Sequence, residues 1–503
     1  MVAKNNSFAG DIKAGLVVFL IALPLSLGIS LASGAPSTAG LVAAILGGIL
    51  GAYLGGSYVT INGPAAGLIV VVLSAIQSLA PGDPATGFRR MLACTVVVGV
   101  LQILSGLLKA GRFVSIFPVS VVHGMLSAIG LIIMLKQIHV FFGVKVGGSM
   151  IDTVLQIPNT IFHANPEASW IGLISVAILL GYPYIKLKFT KVIPAPLVVV
   201  AVGVLLSGVF ANASRVSIPT NVSEFYITPL FDSIMTKESI LAIIALFFVA
   251  SLESVLSASA VDKLDPMQRE SDFDRELWSK GVVNMACGFL GGLPIIAEIV
   301  RSSANISQGA KSPLANFSHG IFILAFLLMF PQVLNLIPHS ALAAILILVG
   351  YRLAQPSQFK SMYQLGMSSF ISFVATIAFT LFEDLLVGIF AGMVIKLVLS
   401  CFQGASFKSL LKADYVVKNE GDKAILEFQG SLIFFSAIQQ RKILNEVSRF
   451  KVIEINLANI SYIDPTSMSI FSRESEKLEK GGAVVTIDMP EKFSKVYHHV
   501  KGH

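Results

Sequence analysis

Charge is what this sequence has least of. Only 13% of its 503 residues are Asp, Glu, Lys or Arg, against about 25% in a typical soluble domain. Cysteine is scarce too. Cys94, Cys287 and Cys401 all lie in apolar runs and none forms a CxxC pair, which excludes a disulfide framework and a zinc module. The eight histidines show no metal-ligand spacing, and Walker, zinc-protease and nucleophile-elbow motifs are absent. Those absences remove the enzyme classes such motifs mark, so neither catalysis nor a resident cofactor is expected. Apolar side chains, by contrast, make up 54% of the residues, with a mean hydropathy of +0.79. The expected solvent is a bilayer.

About fourteen membrane segments are predicted: 12–33, 38–55, 62–80, 90–108, 114–135, 168–184, 193–210, 238–259, 277–292, 295–309, 315–331, 339–351, 366–382 and 385–403. Several fall short of the ~20 residues of a simple span. The first apolar run begins at Gly15 and others follow throughout, so it reads as a span and not as a cleaved leader. Pro24 is expected to interrupt it or to kink it. The net charge of +7 resides in loops. With the N-terminus inside, the inner loops are expected to hold Lys4, Lys13, Lys109, Arg112, Lys186, Lys188, Lys191, Lys263, Arg269, Arg275, Lys280, Lys311, Arg352, Lys360, Lys408 and Lys412. The outer loops hold fewer: Arg89, Arg90, Lys136, Lys145, Arg215 and Lys237. This bias orients membrane helices, with both termini cytoplasmic, and needs no nucleic-acid partner.

An internal repeat is visible. Leu54-Gly55-Gly56 precedes the third segment and Leu290-Gly291-Gly292 precedes the tenth. Each leads into a few extended-type residues and then a helix start. The two elements are seven segments apart, and an odd number of spans per repeat forces opposite orientations. That is the pattern of an inverted-repeat transporter, whose broken segments mark a midplane site. After about Ala413 charge becomes dispersed. Strands are expected at Tyr415–Lys418, Ala424–Phe428, Val452–Asn456 and Ala483–Ile487, with helices at Ser436–Val447, Thr466–Glu479 and Glu491–His498. Alternating strands and helices predict a small α/β domain.

Four positions could carry chemistry. Glu253 is an ionisable group deep in an apolar segment, and such groups are functional by default. Ser257, four residues on, shares its helical face. Glu298 and Arg301 lie in Leu293–Ser303, where Pro294 opposes a continuous helix and a half-helix beginning near Ile299 would aim free N–H groups into the membrane. The plainer reading is that these two, three residues apart, neutralise each other. Thr60–Gly67 is the matching element, with Gly63 allowing close backbone approach and Pro64 suiting a first helical turn.

Taken together these residues resemble the SulP family, the bacterial relatives of the solute-carrier sulfate and anion exchangers. The resemblance rests on Gly10-Asp11, Ala14-Gly15 and Ala22-Leu23-Pro24, on Glu253-Ser254 with Ser257, and most specifically on Arg301-Ser302, Asn305 and Gly309-Ala310-Lys311-Ser312. The C-terminal part resembles a STAS domain, with Asp464-Pro465-Thr466-Ser467 where related anti-sigma antagonists carry an Asp-Ser-Ser-Gly loop. The resemblance implies an all-α membrane protein in a 7+7 inverted repeat, with repeats at about 10–210 and 238–403. It implies core and gate domains within 1–404, a 405–412 linker, a cytoplasmic α/β STAS domain over 413–503, and a homodimer in the cell inner membrane.

The substrate candidates so implied are Leu25, Ile29, Ala65, Ala66, Glu298, Ile299, Val300 and Arg301. Glu253 and Ser257 are implied as the site of a coupling proton or sodium ion. Thr466 is a possible regulatory phosphorylation site. A cytoplasmic partner for the STAS domain is also implied. Ala65 replaces the bulky aromatic of animal relatives, and Glu298 adds a carboxylate; both favour cation-coupled uptake of a small anion of the sulfate or bicarbonate class. A nucleobase permease of the same fold, an uncoupled anion channel and an anion-sensing signalling protein remain alternatives.

Overall fold

The computed structural model describes residues 2–111, 116–144, 150–185, 193–219, 221–405 and 413–501. Arg112, Lys145, Lys186, Lys188, Lys191, Lys408 and Lys412, and the linker after Ala405, lie outside the described residues. The chain forms two compact units, one of Met1–Gly111 and Ile129–Leu353, the other of Arg112–Ala128 and Ala354–His503.

The first unit contains helices α1 (Val2–Ala32), α2 (Ser37–Leu54), α3 (Ile69–Leu79) and α4 (Pro84–Leu107). The C-terminal part of α5 (Val119–Phe141) belongs to it, as do α6 (Met150–Leu155), α7 (Ile157–Phe162), α8 (Pro166–Gly181) and α9 (Ala195–Val209). It continues with α10 (Lys237–Leu264), α11 (Phe273–Leu290), α12 (Ile299–Ser307), α13 (Leu314–Met329), α14 (Pro331–Leu334) and α15 (His339–Leu353). Two three-residue strands, β1 (Ile61–Gly63) and β2 (Ile296–Glu298), precede α3 and α12.

Each of the fourteen expected ranges falls on a helix, with α16 (Pro356–Gln364), α17 (Met367–Phe382) and α18 (Leu385–Phe402) in the second unit. Eight helices are long and apolar enough to cross a bilayer among the described residues. Pro24 does not interrupt the first segment, since α1 runs through it. The fourth segment starts at Pro84, earlier than its hydropathy indicates, because Asp83 caps it by accepting from the Thr86 N–H.

The packing shows the inverted repeat directly. Helix α4, the fourth segment, lies along α11, the ninth; α13, the eleventh, lies along α2, the second. Likewise α1 packs on α12 and α10 on α3, segments one with ten and eight with three. Advancing every partner by seven exchanges the members of each pair of contacts. Both long contacts are made backbone to backbone. A Cβ at Gly99 would lie 2.6 Å from the Gly281 carbonyl oxygen, and one at Gly48 would lie 2.6 Å from Gly320 Cα. Small residues let membrane helices approach this closely without a water-driven hydrophobic force.

In the second unit, β3 (Asp414–Glu420) pairs antiparallel with β4 (Lys423–Leu432), which pairs in parallel with β5 (Val452–Asn456) and, at its far end, with β6 (Ile460–Ile463). Strand β7 (Val484–Asp488) adds in parallel to β5. Helices α19 (Ala437–Glu446), α20 (Pro465–Lys480) and α21 (Glu491–Lys501) complete an α/β fold. Its core joins Leu426, Phe428, Ile453, Ile455 and Phe471. The expected strands and helices all form; β6, only four residues long, is an addition.

Candidate functional site

The site grows from two helices that begin inside the protein. Strands β1 and β2 pair antiparallel, Ile61 with Glu298 and Gly63 with Ile296. Each strand runs into a helix, so the two helices leave this short ribbon from opposite ends. One starts as a 3₁₀ turn at Ala66–Leu68 that continues into α3; the other is α12. The residues at their N-caps, Ala65 and Glu298, are extended, and no side chain caps either start among the described residues. The first turns therefore keep N–H donors without intrahelical partners and carry the positive ends of two helix dipoles.

Polar side chains hold this backbone in place. Ser302 Oγ accepts from the Ile61 N–H (2.8 Å) and donates to the Glu298 carbonyl. Asn305 Nδ2 donates to the Val59 carbonyl (2.9 Å), and Asn316 accepts from the Asn62 N–H. On the other strand, Asn284 accepts from the Ile295 N–H (2.6 Å) and donates to the Ile295 carbonyl and to Gln102, which donates to Ser251. Upstream, Glu276 accepts from the Gly56 N–H and pairs with buried Lys280 at 2.5 Å. Asp11 accepts from the Lys311 and Ser312 N–H groups and from the Ser312 hydroxyl. The Gly55-Gly56 lead-in and the Gly-Ala-Lys-Ser motif are thus where broken backbone is anchored.

Three charged groups meet at the ribbon. Arg301 is fully buried; its Nη2 donates to the Pro64 carbonyl (3.2 Å), and its Nε lies 2.8 Å from Glu298 Oε2. That contact is an ion pair by distance but is not aligned as a hydrogen bond, and Nη1 has no partner among the described residues. A Cβ at Gly63 would lie 2.6 Å from Nη1, so glycine makes room for the guanidinium. Glu298 Oε1 and Glu253 Oε2 also lack partners among the described residues, although both residues are buried. The Glu253 carboxylate occupies the space a Cβ at Gly67 would need. It therefore sits on the first turn of the α3 half-helix, within electrostatic reach of Glu298.

The other candidates distribute unevenly. Leu25 and Ile29 are buried on α1, Ala65 is buried, and Ala66 is half-buried. Ile299 and Val300 are 42% and 43% exposed beside buried Arg301, so the α12 start is open where its arginine is shielded. Ser257 is half-buried one turn from Glu253. Thr466 is elsewhere, buried in the first turn of α20, where its Oγ1 accepts from the Val119 N–H at 3.2 Å. A phosphate there requires that contact to open first.

Replacing Gly67 by Ala drives a methyl group into the Glu253 carboxylate. We expect uptake to fall by more than tenfold, since closely packed atoms must shift by an appreciable distance. The variant should stay monodisperse on size exclusion in detergent. Parent-like uptake would show that Glu253 need not occupy this position.

Broken helices joined by a ribbon, inside an inverted repeat and lined by buried ionisable groups, define a multi-pass membrane transporter. The sequence pattern of the Sulfate permease family matches residues 8–378. The chain belongs to that family, whose members transport anions. It is 26% identical to the "Bicarbonate transporter BicA" of Synechocystis sp. over 96% of this chain and 88% of the relative. It is also 26% identical to the "Putative sulfate transporter YvdB" of Bacillus subtilis, over 78% and 73% of the two chains. Among solved structures it resembles the transmembrane domain of a cyanobacterial BicA, with a TM-score of 0.67 and 25% identity over 76% of this chain and 97% of that one. The overall structure of SLC26A9 shares the fold, with a TM-score of 0.71 at 16% identity over 99% and 86%. The C-terminal strands and helices agree with a STAS domain.

Proposed function

We propose that this chain carries a small inorganic anion of the sulfate or bicarbonate class into the cell, coupled to a proton or a sodium ion, by alternating access. The observation that carries this reading is the trio of Glu253, Glu298 and Arg301 at two uncapped half-helix starts. Two carboxylates and one guanidinium leave a net single negative charge when all are ionised. An arriving anion would deepen it in a low-dielectric setting, where like charges repel strongly. Arg301 already offsets Glu298, so binding is favourable only if a cation neutralises Glu253. The half-helix N–H groups and Arg301 then hold the anion, and Glu253 with Ser257 holds the cation. The activities for which the two relatives are named supply the substrate class.

Residues 1–404 form the transport domain in this reading, 405–412 the linker and 413–503 the regulatory STAS domain. The termini are cytoplasmic, and the protein is a homodimer in a cell membrane. The test is radiolabel uptake into proteoliposomes. Sulfate, bicarbonate and fumarate are offered with a sodium gradient, a pH gradient or neither. Concentrative uptake of one of the inorganic anions under one gradient is expected. Steady currents without accumulation would make the protein a channel; competition by uracil alone would make it a nucleobase permease.

A further inference from the structure

Lys396 is 1% exposed near the end of α18, and the transport site makes no use of it. Its Nζ donates to Ser368 Oγ and Ser369 Oγ on α17, each at 3.0 Å. Among the described residues no carboxylate lies within ion-pair distance. A buried ammonium on a membrane helix is costly without a counter-charge. The carboxylate that acts on it electrostatically is Asp464 of the C-terminal domain. Asp464 is itself fully buried, accepting from the Phe434 and Ser467 N–H groups. Burial pushes its carboxyl above the usual range, while Lys396 and those N–H donors oppose the rise.

Contacts around the pair run the same way. Ser400, on α18, donates to the Lys396 carbonyl, and its Oγ lies 3.3 Å from Tyr462 Oη on β6. Ile433, Phe434 and Tyr462 of the C-terminal domain pack with Met393 and Leu397 of α18. Thr466 accepts from Val119 at the start of α5. The C-terminal domain, α17, α18 and the first part of α5 thus belong to one compact unit.

We propose that Lys396 and Asp464 form an electrostatic latch through which the C-terminal domain grips α17 and α18, so that drawing Asp464 away slows transport without changing the anion carried. The proposal rests on the transport function proposed above. The latch gives a role to a lysine at a buried position that an apolar residue would fill at less cost. It also gives the domain's regulatory role a place of action: β6 and the first turn of α20, not the linker.

The test is a double-mutant cycle in the full chain. Lys396→Gln keeps a donor for Ser368 and Ser369 and removes the charge. Asp464→Asn keeps an oxygen to cap α20. We expect each single variant to lower the maximal uptake rate about tenfold with an unchanged half-saturating anion concentration. The double variant should recover to within about threefold of the parent, because neither charge is left buried alone. Failure of a single variant to reach the membrane, with the double variant reaching it, counts as the same rescue. Single variants with parent rates, or a double variant no better than the worse single one, overturn the latch. Thermal unfolding of the four proteins in detergent reads the same coupling without transport. The latch therefore stands or falls separately from the substrate assignment.

Discussion

Arg301→Ala is expected to weaken apparent anion affinity by a hundredfold or more while the protein still reaches the membrane. Arg301 is fully buried, with Nη2 held by Pro64 and Nη1 unpartnered among the described residues. It is a fixed positive charge with a donor to spare, beside the exposed first turn of α12. Hydrogen bonds to charged groups contribute about 1.5–3 kcal/mol each, and a guanidinium offers them in pairs. Two lost bonds correspond to about two to four powers of ten in affinity. The substitution also leaves Glu298 without its cation, and an unpaired buried charge destabilises by about 3–5 kcal/mol. Arg301→Ala combined with Glu298→Gln should therefore regain stability but not affinity. Arg301→Lys, which keeps charge but loses the planar fork, should fall between. Uptake measured against anion concentration separates affinity from rate, and size exclusion checks folding. A folded Arg301→Ala protein with parent affinity and rate would remove Arg301 from the site.

Much of this site is legible in the sequence because its signals are local. A charge inside an apolar run, a Gly-Gly-Leu-Pro lead-in and a hydropathy pattern repeated seven segments later each need only neighbouring residues. Those signals mark Glu253, Glu298, Arg301 and the half-helix near Ile299, which starts at that residue. What stays hidden is long-range. The pairing of Ile61 with Glu298 joins positions 237 apart in sequence, and no local pattern specifies it. Ser302 and Asn305 stand out in a motif, but that they and Asn316 clasp the opposite strand does not show in it. Gly67 reads as one small residue among 42 glycines; only its position beneath Glu253 gives it a role. Lys396 lies inside the predicted last segment, but its counter-charge comes from another domain. The strand at Ile460–Ile463 is too short to show a period.

Glu253→Gln should abolish gradient-driven accumulation and leave passive exchange of anion across the membrane. The substitution preserves the volume of a side chain that sits tightly on Gly67 and removes its ability to carry negative charge. The 3₁₀ turn that leads into helix α3 lies against the carboxylate, so the helix dipole attracts its negative charge, and the Glu298 carboxylate opposes it. A proton or sodium ion arriving at Glu253 relieves that opposition and lowers the repulsion toward the incoming anion. In the coupled reading proposed above, cation and anion each improve the other's binding by the same factor. A neutral glutamine supplies the relief permanently, so the anion binds without the cation, and a cation gradient can no longer drive it.

Two further variants decide between cations and between carboxylates. Ser257, one turn on, offers a hard oxygen that sodium would take as a ligand, whereas a proton is held by the Glu253 carboxyl itself. Ser257→Ala should raise the sodium concentration needed for half-maximal uptake if sodium is the partner, and should leave a proton-driven protein unchanged. Glu298→Gln removes the carboxylate that already faces Arg301 at 2.8 Å, so it should retain accumulation under the driving gradient. Concentrative uptake is compared under a sodium gradient and under a pH gradient. Normal accumulation by Glu253→Gln, together with loss in Glu298→Gln, would transfer the coupling role to Glu298. The Arg301 pair would then be the element that opens and closes with each cation bound.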